Sequence, residues 1–547
     1  MAERKNKIYL FLPILLGIAV AGGVFIGSRY NLLSGEAQMF GLNIGKFNKV
    51  NDVLNYVLEE YVDPVNREDL IEGSLVAVLK DLDPHSSYIP PRDLSSYNEP
   101  LEGNFDGIGI EFNIINDTIV VISPIAGGPS EALGIEAGDR IVKIEGEVVA
   151  GVGFTNKDAI NLLRGARGTL VEVSISRRGT TAIIDYKILR GEIPIHSVDV
   201  AYMLEDSIGY IKINRFSANT FDEYKEAFNS LPRSKLKGMV LDLRGNPGGY
   251  LTASIKLADE FLENNRMIVY TEGKSHPHAP YYSTEQGAFK NGRLVVLIDE
   301  GAASASEIVA GALQDNDRGI IMGRRSFGKG LVQEQFNFPD GSAVRLTIAR
   351  YYTPTGRCIQ RSYDKGLEAY YYEIYKRYGE EGLINMDSSY FADSLRFVTP
   401  GGKTVYGGGG IMPDVLVRLD TAGKSNYLRK ILNQGLIRMF AFDYTDKNRK
   451  QLSEIKDLAA FDRIIKVDKK LLEEFQEFAY SKGVAVDEPG FKVSEHLIVQ
   501  RIKVLIAKNL FGNMGLYPVL NRTDKDVLTA IKYINQKEHS PLANMVP

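Results

Sequence analysis

The sequence predicts a multidomain α+β protein, and three observations carry that prediction. The chain has 547 residues, more than one hydrophobic core accommodates when domains run to roughly 150 residues. Its hydrophobic periodicity changes along the chain, from helical spacing over 45–80 to short β-rich runs over 100–190, then to strands alternating with amphipathic helices over 190–360. An uncharged apolar stretch, 8–27, stands apart from all of these. With 44% hydrophobic residues, 24% charged residues and a net charge of −4, the composition is that of folded domains and points neither to disorder nor to a nucleic-acid-binding surface.

At the N-terminus Arg4, Lys5 and Lys7 precede "IYLFLPILLGIAVAGGVFIG" (8–27). As a helix this stretch spans about 30 Å, a bilayer's hydrocarbon thickness. The positive-inside rule keeps the basic end in the cytoplasm. The expectation is a cytoplasmic tail (1–7), an uncleaved single-pass anchor (8–27) in the inner membrane, and the remainder on the periplasmic or extracytoplasmic side; cleavage within "AVAGG" is the alternative. Export usually permits disulfides, yet Cys358 is the only cysteine. It reads as a buried structural thiol, so the fold rests on its cores.

Residues 28–99 read as a small helical domain, with Phe47, Val50, Val53, Leu54 and Val57, then Leu70, Ile71, Leu75, Val78 and Leu79, at helical spacing before the turn-like "DLDPHSSYIPP". Residues 100–190 form one compact, mostly β domain. In 191–420, runs such as "MVLDL" and "VVLI" are apolar at nearly every position, as in strands covered on both faces, so this is an α/β layer domain. Within it 363–395, rich in Tyr, Glu and Arg, reads as a helical insertion. The region 421–547 reads as a helical domain for docking, oligomerisation or substrate handling.

The chemistry centres on "GAASASEIVAG" (301–311), directly after the apolar "LVVLIDE" (294–300). Ser304 and Glu307 fit a capping box, in which the serine heads a helix. A serine at a strand-to-helix turn is also where an attacking oxygen is exposed while neighbouring amides converge on an oxyanion. Ser306 is the competing hydroxyl. Histidine fails as its base: His276 and His278 lie in the polar loop "KSHPHAP", which reads as a loop rather than a metal site, and His85, His196, His496 and His539 belong to other regions. Lysine is the other general base of serine hydrolases. Lys329, in "GRRSFGKGLVQ" (323–333), follows Ser304 after one helix and one strand, and Phe327, Leu331 and Val332 supply the apolar surroundings that lower a lysine pKa from about 10.4. The same segment matches seven positions of a GxxxxGK[ST] phosphate loop, but Gly330 stands where the magnesium-holding hydroxyl belongs. The loop "DLRGNPGG" (242–249), between a buried strand and a helix, offers Gly248 or Gly249 as one oxyanion donor, with the Ala305 amide as the other.

The stretches "FDGIGIEF" (105–112), "SPIAGGPSEALGIEAGDRIVKIEGEVV" (123–149) and "KDAINLLRGARGTLVEVSI" (157–175) resemble a PDZ domain. Such a domain pairs the free C-terminus of a peptide as an added strand and receives its carboxylate on successive backbone amides, here those of Gly107, Ile108, Gly109 and Ile110. Together with "LDPHSSYI" (82–89), "DLRGNPGG", "SASEIVAGALQDNDRG" (304–319), "GKGLVQ" (328–333), "YYTPTGRCIQ" (351–360) and "GGGGIMPDV" (407–415), the chain resembles the C-terminal processing peptidases, or tail-specific proteases. The resemblance implies a PDZ domain before a crotonase-like α/β core. It also implies a serine endopeptidase that cleaves near the C-terminal tails of exported proteins without metal or organic cofactor. Carried over by position, Ser304 is the nucleophile, Lys329 the base, Gln333 a residue that orients the lysine and Asp315 an acidic residue that supports the site. Ala302 and Cys358 depart from the family, which often has Ser or Thr at the first and Ser at the second. A non-catalytic PDZ scaffold and a Ser-Lys peptidase of the signal-peptide type are the alternatives.

Overall fold

The structure, a computed structural model, describes residues 17, 19–23, 49–377 and 393–536. Two compact units divide between Asp81 and Leu82. The first contains the helices Lys49–Glu60 and Arg67–Lys80, the second of which starts where the Asn66 side chain accepts from the Glu68 amide at 2.8 Å. The anchor expected at 8–27 lies largely outside the described residues. Among the described residues no helix is long and apolar enough to cross a membrane.

The helical domain expected over 28–99 therefore ends earlier than its pattern suggested. The "DPHSSYI" turn belongs to the second unit, where Ser87–Ile89 is a strand paired antiparallel with Ala343–Arg345, Ser87 opposite Arg345. Asp83 pins this turn by accepting from the His85 and Ser86 amides, both at 2.8 Å, and from the Ser86 hydroxyl at 2.6 Å.

The β-rich segment folds into a sheet in the order Ile110–Ile114, Ile119–Pro124, Arg140–Ile144, Leu170–Ser176, Ile183–Leu189, every described pairing antiparallel. Its own core includes Ile119, Val121, Ile141, Val171 and Ile175. The helix Asn156–Leu163 begins at a capping box of Thr155 and Asp158. The domain is rooted by a two-stranded ribbon in which Asn104–Gly107 pairs with Gly191–Pro194.

The α/β domain is built on a six-stranded sheet in the order Val198–Glu205, Ile208–Ile213, Gly238–Asp242, Arg293–Ile298, Ile320–Gly323, Val415–Leu416. The first pair is antiparallel and the rest are parallel. Every residue of Ile208–Ile213 and Gly238–Asp242 is buried, as the unbroken apolar runs require of strands covered on both faces. The helices Thr220–Ser230, Leu251–Asp259 and Ala305–Asp315 contribute to the core on one face. A second sheet is centred on Ala343–Tyr352, which pairs with Ser87–Ile89, Met267–Glu272 and Leu331–Asn337. The insertion contains the helix Leu367–Arg377; residues 378–392 fall outside the described part.

The expected helical domain of 421–547 is two things. Its larger part has a core of its own, including Tyr427, Ile431, Phe440, Phe461, Phe475 and Ile502. Its last described helix, Lys525–Asn535, instead packs Val527, Ala530 and Ile534 against Val240, Val295, Leu297 and Met322 on the other face of the six-stranded sheet. Periodicity shows that a helix is amphipathic but not which core receives its apolar face.

Among the described residues the β domain and the helical region share no hydrophobic cluster. Ionic contacts join them: Asp446, its side chain 2% exposed, receives Arg140 at 3.3 Å and Arg178 at 3.0 Å, together with its own neighbour Arg449 at 3.1 Å. Lys508 adds a pair to Glu111 at 3.1 Å.

Candidate active site

Three loops leave the C-terminal ends of adjacent parallel strands: 243–250 after Gly238–Asp242, 299–304 after Arg293–Ile298, and 324–330 after Ile320–Gly323. This is the edge at which parallel α/β sheets place ligands, since the loops gather where all strands end. Ser304 stands between the second strand and its helix with φ 55° and ψ −112°, a conformation that L residues seldom adopt. Glu307 accepts from the Ser304 amide at 2.8 Å, the carboxylate half of the capping box. Capping and exposure coexist, because the side chain of Ser304 still faces a pocket of about 760 Å³ that Lys329, Gln333, Gly248, Gly249 and Tyr351 also line. Ser306 is fully buried, and its hydroxyl donates to the Asn246 carbonyl at 3.0 Å.

Lys329 lies on the pocket wall with its Nζ donating to Gln333 Oε1 at 2.8 Å, and Gln333 Nε2 donates in turn to the His85 carbonyl at 2.7 Å. Burial, and secondarily the charge of Arg345, lowers the Lys329 pKa to about 8, against the opposing pull of Asp83 and Glu307. His85 is pushed down to about 4 by burial and then by the Lys329 charge, so it is neutral near pH 7.

The glycine loop meets the serine turn closely. A Cβ on Gly248, whose φ is +96°, would lie 2.8 Å from the Ser304 Cβ and 2.9 Å from the Ala305 amide nitrogen. Of the expected oxyanion donors, the Gly248 amide is engaged by Asn246 Oδ1 at 2.9 Å. The Gly249 and Ala305 amides donate to no acceptor among the described residues.

Asp315 is not brought to this site. It sits at the far end of the Ala305–Asp315 helix, roughly 16 Å from Ser304 at 1.5 Å per residue. There its buried carboxylate meets the buried Arg357 Nη2 at 2.6 Å and accepts from the half-buried Thr355 hydroxyl at 2.7 Å. The carboxylate that does organise the site is Glu307, which sequence reasoning treated as a cap alone. Fully buried, it accepts from the Ser304 and Lys329 amides at 2.8 and 2.9 Å, from the Gly328 amide at 2.7 Å and from the Ser326 hydroxyl at 2.5 Å. One side chain thus fastens the serine turn to the lysine loop. Burial raises its pKa, with these four donors opposing. The Tyr351 hydroxyl makes a second tie, 3.1 Å from the Ser304 carbonyl and 2.8 Å from that of Lys329.

In the β domain, Gly107 pairs with Gly191 in the root ribbon, Ile108 is buried, Gly109 has φ +75°, and Ile110 opens the strand at the sheet edge. The Ile108 and Gly109 carbonyls are taken by Ser130 and Ile125, at 3.1 and 2.9 Å from their amides. Among the described residues the Ile108 and Gly109 amides have no backbone acceptor and the outer edge of Ile110–Ile114 carries no paired strand.

Residues 207–368 match peptidase family S41 and residues 120–177 a PDZ domain. A carboxy-terminal-processing protease of Bartonella bacilliformis is 39% identical over 317 residues, 57% of this chain and 72% of that protein. The chain belongs to peptidase family S41. It is a serine-type peptidase with a PDZ domain. The carboxy-terminal processing proteases CtpA and CtpB of Bacillus subtilis are 31% and 34% identical, covering 81% and 75% of their own lengths. Residues 427–512 match a family of unknown function, DUF8443.

Proposed function

We propose that this S41 peptidase cleaves proteins near their C-terminal tails, with Ser304 as nucleophile and Lys329 as general base. The observation that carries the assignment is the shared pocket of Ser304 and Lys329, in which burial holds the lysine pKa near 8. Neutral Lys329 accepts the Ser304 proton as the hydroxyl attacks the peptide carbonyl, and the Gly249 and Ala305 amides stabilise the oxyanion. The leaving amine takes the proton back from Lys329; water then hydrolyses the acyl-enzyme with the lysine again as base. Gln333 holds the ammonium in place between turnovers.

Tail capture falls to the PDZ domain. A free C-terminus adds as a strand along Ile110–Ile114, with its carboxylate at the Ile108 and Gly109 amides. The names of the Bartonella and Bacillus relatives support processing at C-termini. The basic residues ahead of apolar 8–27 support a single-pass anchor in the inner membrane with the peptidase on the extracytoplasmic side, and the helical region offers a surface for homo-oligomer formation.

The deciding experiment is hydrolysis of an unfolded protein with an apolar C-terminus by the wild type and by Ser304→Ala, Ser306→Ala and Lys329→Ala. The assignment requires activity to vanish with the first and third substitutions and to survive the second. Equal activity in all four leaves Ser304 a helix cap and favours the non-catalytic scaffold. Inhibition by a peptide ending in a free apolar carboxylate, absent with its amide, separates tail recognition from a signal-peptide-type activity.

A further inference from the structure

The three loops of the site spring from strand ends that are joined by an ionic network, and part of that network comes from the far C-terminal end of the chain. Arg244, at the root of the glycine loop, meets Asp242 through Nη2 at 2.6 Å and Nε at 3.1 Å. Its Nη1 reaches Asp524 at 2.9 Å and Asp526 at 2.8 Å. Arg324, at the root of the lysine loop, meets Glu300 at 3.0 Å and the same Asp526 at 3.5 Å. At the root of the serine turn, Asp299 accepts from the amides of Gly245 and Gly301 at 2.7 and 3.0 Å. Asp526, its side chain 7% exposed, therefore bridges the glycine loop to the lysine loop.

The consequence for chemistry runs through Asn246, two residues beyond Arg244. Its carbonyl accepts from the Ala303 amide at 3.0 Å and from the Ser306 hydroxyl at 3.0 Å, and its side chain holds the Gly248 amide. A displacement of Arg244 would reach Asn246, and through it Gly248, the neighbour of the oxyanion donor Gly249, on one side and the serine turn on the other. Reacting groups misplaced by about 1 Å cost on the order of a hundredfold in rate.

We propose that Asp524 and Asp526 are positioning residues for the peptidase reaction, acting through Arg244 and Arg324 on the loops that carry Gly249, Ser304 and Lys329. The inference rests on the Ser304 and Lys329 assignment. It gives the last described helix a role in catalysis that its place outside the matched peptidase segment, 207–368, does not suggest. Asp524 also caps that helix, accepting from the Asp526 and Val527 amides at 2.9 and 3.1 Å. An asparagine there keeps the cap while removing the charge.

The experiment uses the full chain with Asp526→Asn, Asp524→Asn/Asp526→Asn, Arg244→Lys and the conservative Asp526→Glu, alongside Ser304→Ala. For each, kcat and KM on an apolar-tailed protein, binding of the tail peptide and the thermal midpoint are measured. The double variant is expected to lose about tenfold or more in kcat. KM and tail binding stay within about twofold, the midpoint shifts by only a few degrees, and Asp526→Glu recovers much of the loss. Unchanged kcat in a folded double variant overturns the proposal. So does a kcat that falls only in step with the folded fraction and is equally lost in Asp526→Glu. Full activity of Ser304→Ala would instead defeat the nucleophile assignment beneath it.

Discussion

Gln333 holds the amine of Lys329 at 2.8 Å through its side-chain oxygen, while its amide nitrogen is spent on the His85 carbonyl at 2.7 Å. The second bond fixes the orientation of the amide, so the oxygen and not the nitrogen faces the lysine. Replacing Gln333 by Glu puts a negative charge where that neutral oxygen stands, which favours the ammonium. The rising limb of the pH–activity profile is expected to move up by about one pH unit or more. A profile that stays where it is would show that Gln333 does not touch the working base.

The wild-type profile follows from the Lys329 pKa of about 8. Its folded value lies below the ordinary one, so the neutral, proton-accepting form grows as pH rises through 8. At pH 7 roughly a tenth of the lysine is neutral, and kcat/KM is expected to climb roughly tenfold between pH 7 and pH 9. His85, held near 4, contributes nothing in this range. A limb centred near 6.5 would implicate a histidine instead.

Glu307 receives four donors in the interior, and Glu307→Gln turns an NH2 group toward some of them. Unsatisfied buried donors cost about 1–3 kcal/mol each. Denaturant unfolding is expected to show a loss of about 2–4 kcal/mol, accompanied by reduced kcat, because the serine turn and the lysine loop lose their common anchor. A variant of native stability and activity would show that the backbone alone holds the two segments.

Asp446 is the most buried ionic tie between the PDZ domain and the helical region, which among the described residues share no apolar core. Asp446→Ala leaves Arg140 and Arg178 without that carboxylate. Faster proteolysis at the root ribbon, 104–107 and 191–194, is expected, with the difference from wild type shrinking in high salt as screening weakens the wild-type pairs. Identical cleavage patterns at low salt would mean that other contacts hold the domain.

Much of this site was legible because its parts are local. The small-residue turn at Ser304, the glycine loop at 242–249 and the lysine after a strand each announce themselves within a few residues, and the order of motifs announces the family. What failed was long-range. The family resemblance places Asp315 at the site, but its partner Arg357 lies 42 residues on and draws it into the interior. The "DPHSSYI" turn read as the end of a helical domain because its strand partner, Ala343–Arg345, is more than 250 residues away. Glu307 was visible as a cap, yet nothing in the sequence shows that its carboxylate also gathers Ser326, Gly328 and Lys329. The bridge from Asp526 to Arg244 and Arg324 is long-range as well, each arginine lying 200 or more residues before it, and the packing of the last helix on the sheet brings it about.

The most direct measurement is to trap the acyl-enzyme. The enzyme is mixed with a slowly turned-over tail substrate, quenched in acid, and the adduct is located by peptide fragmentation mass spectrometry in the wild type and in Lys329→Met. The account requires the acyl group on Ser304 in the wild type and no adduct in the lysine variant at pH 8. An adduct on Ser306, or one that forms equally fast without Lys329, would contradict it.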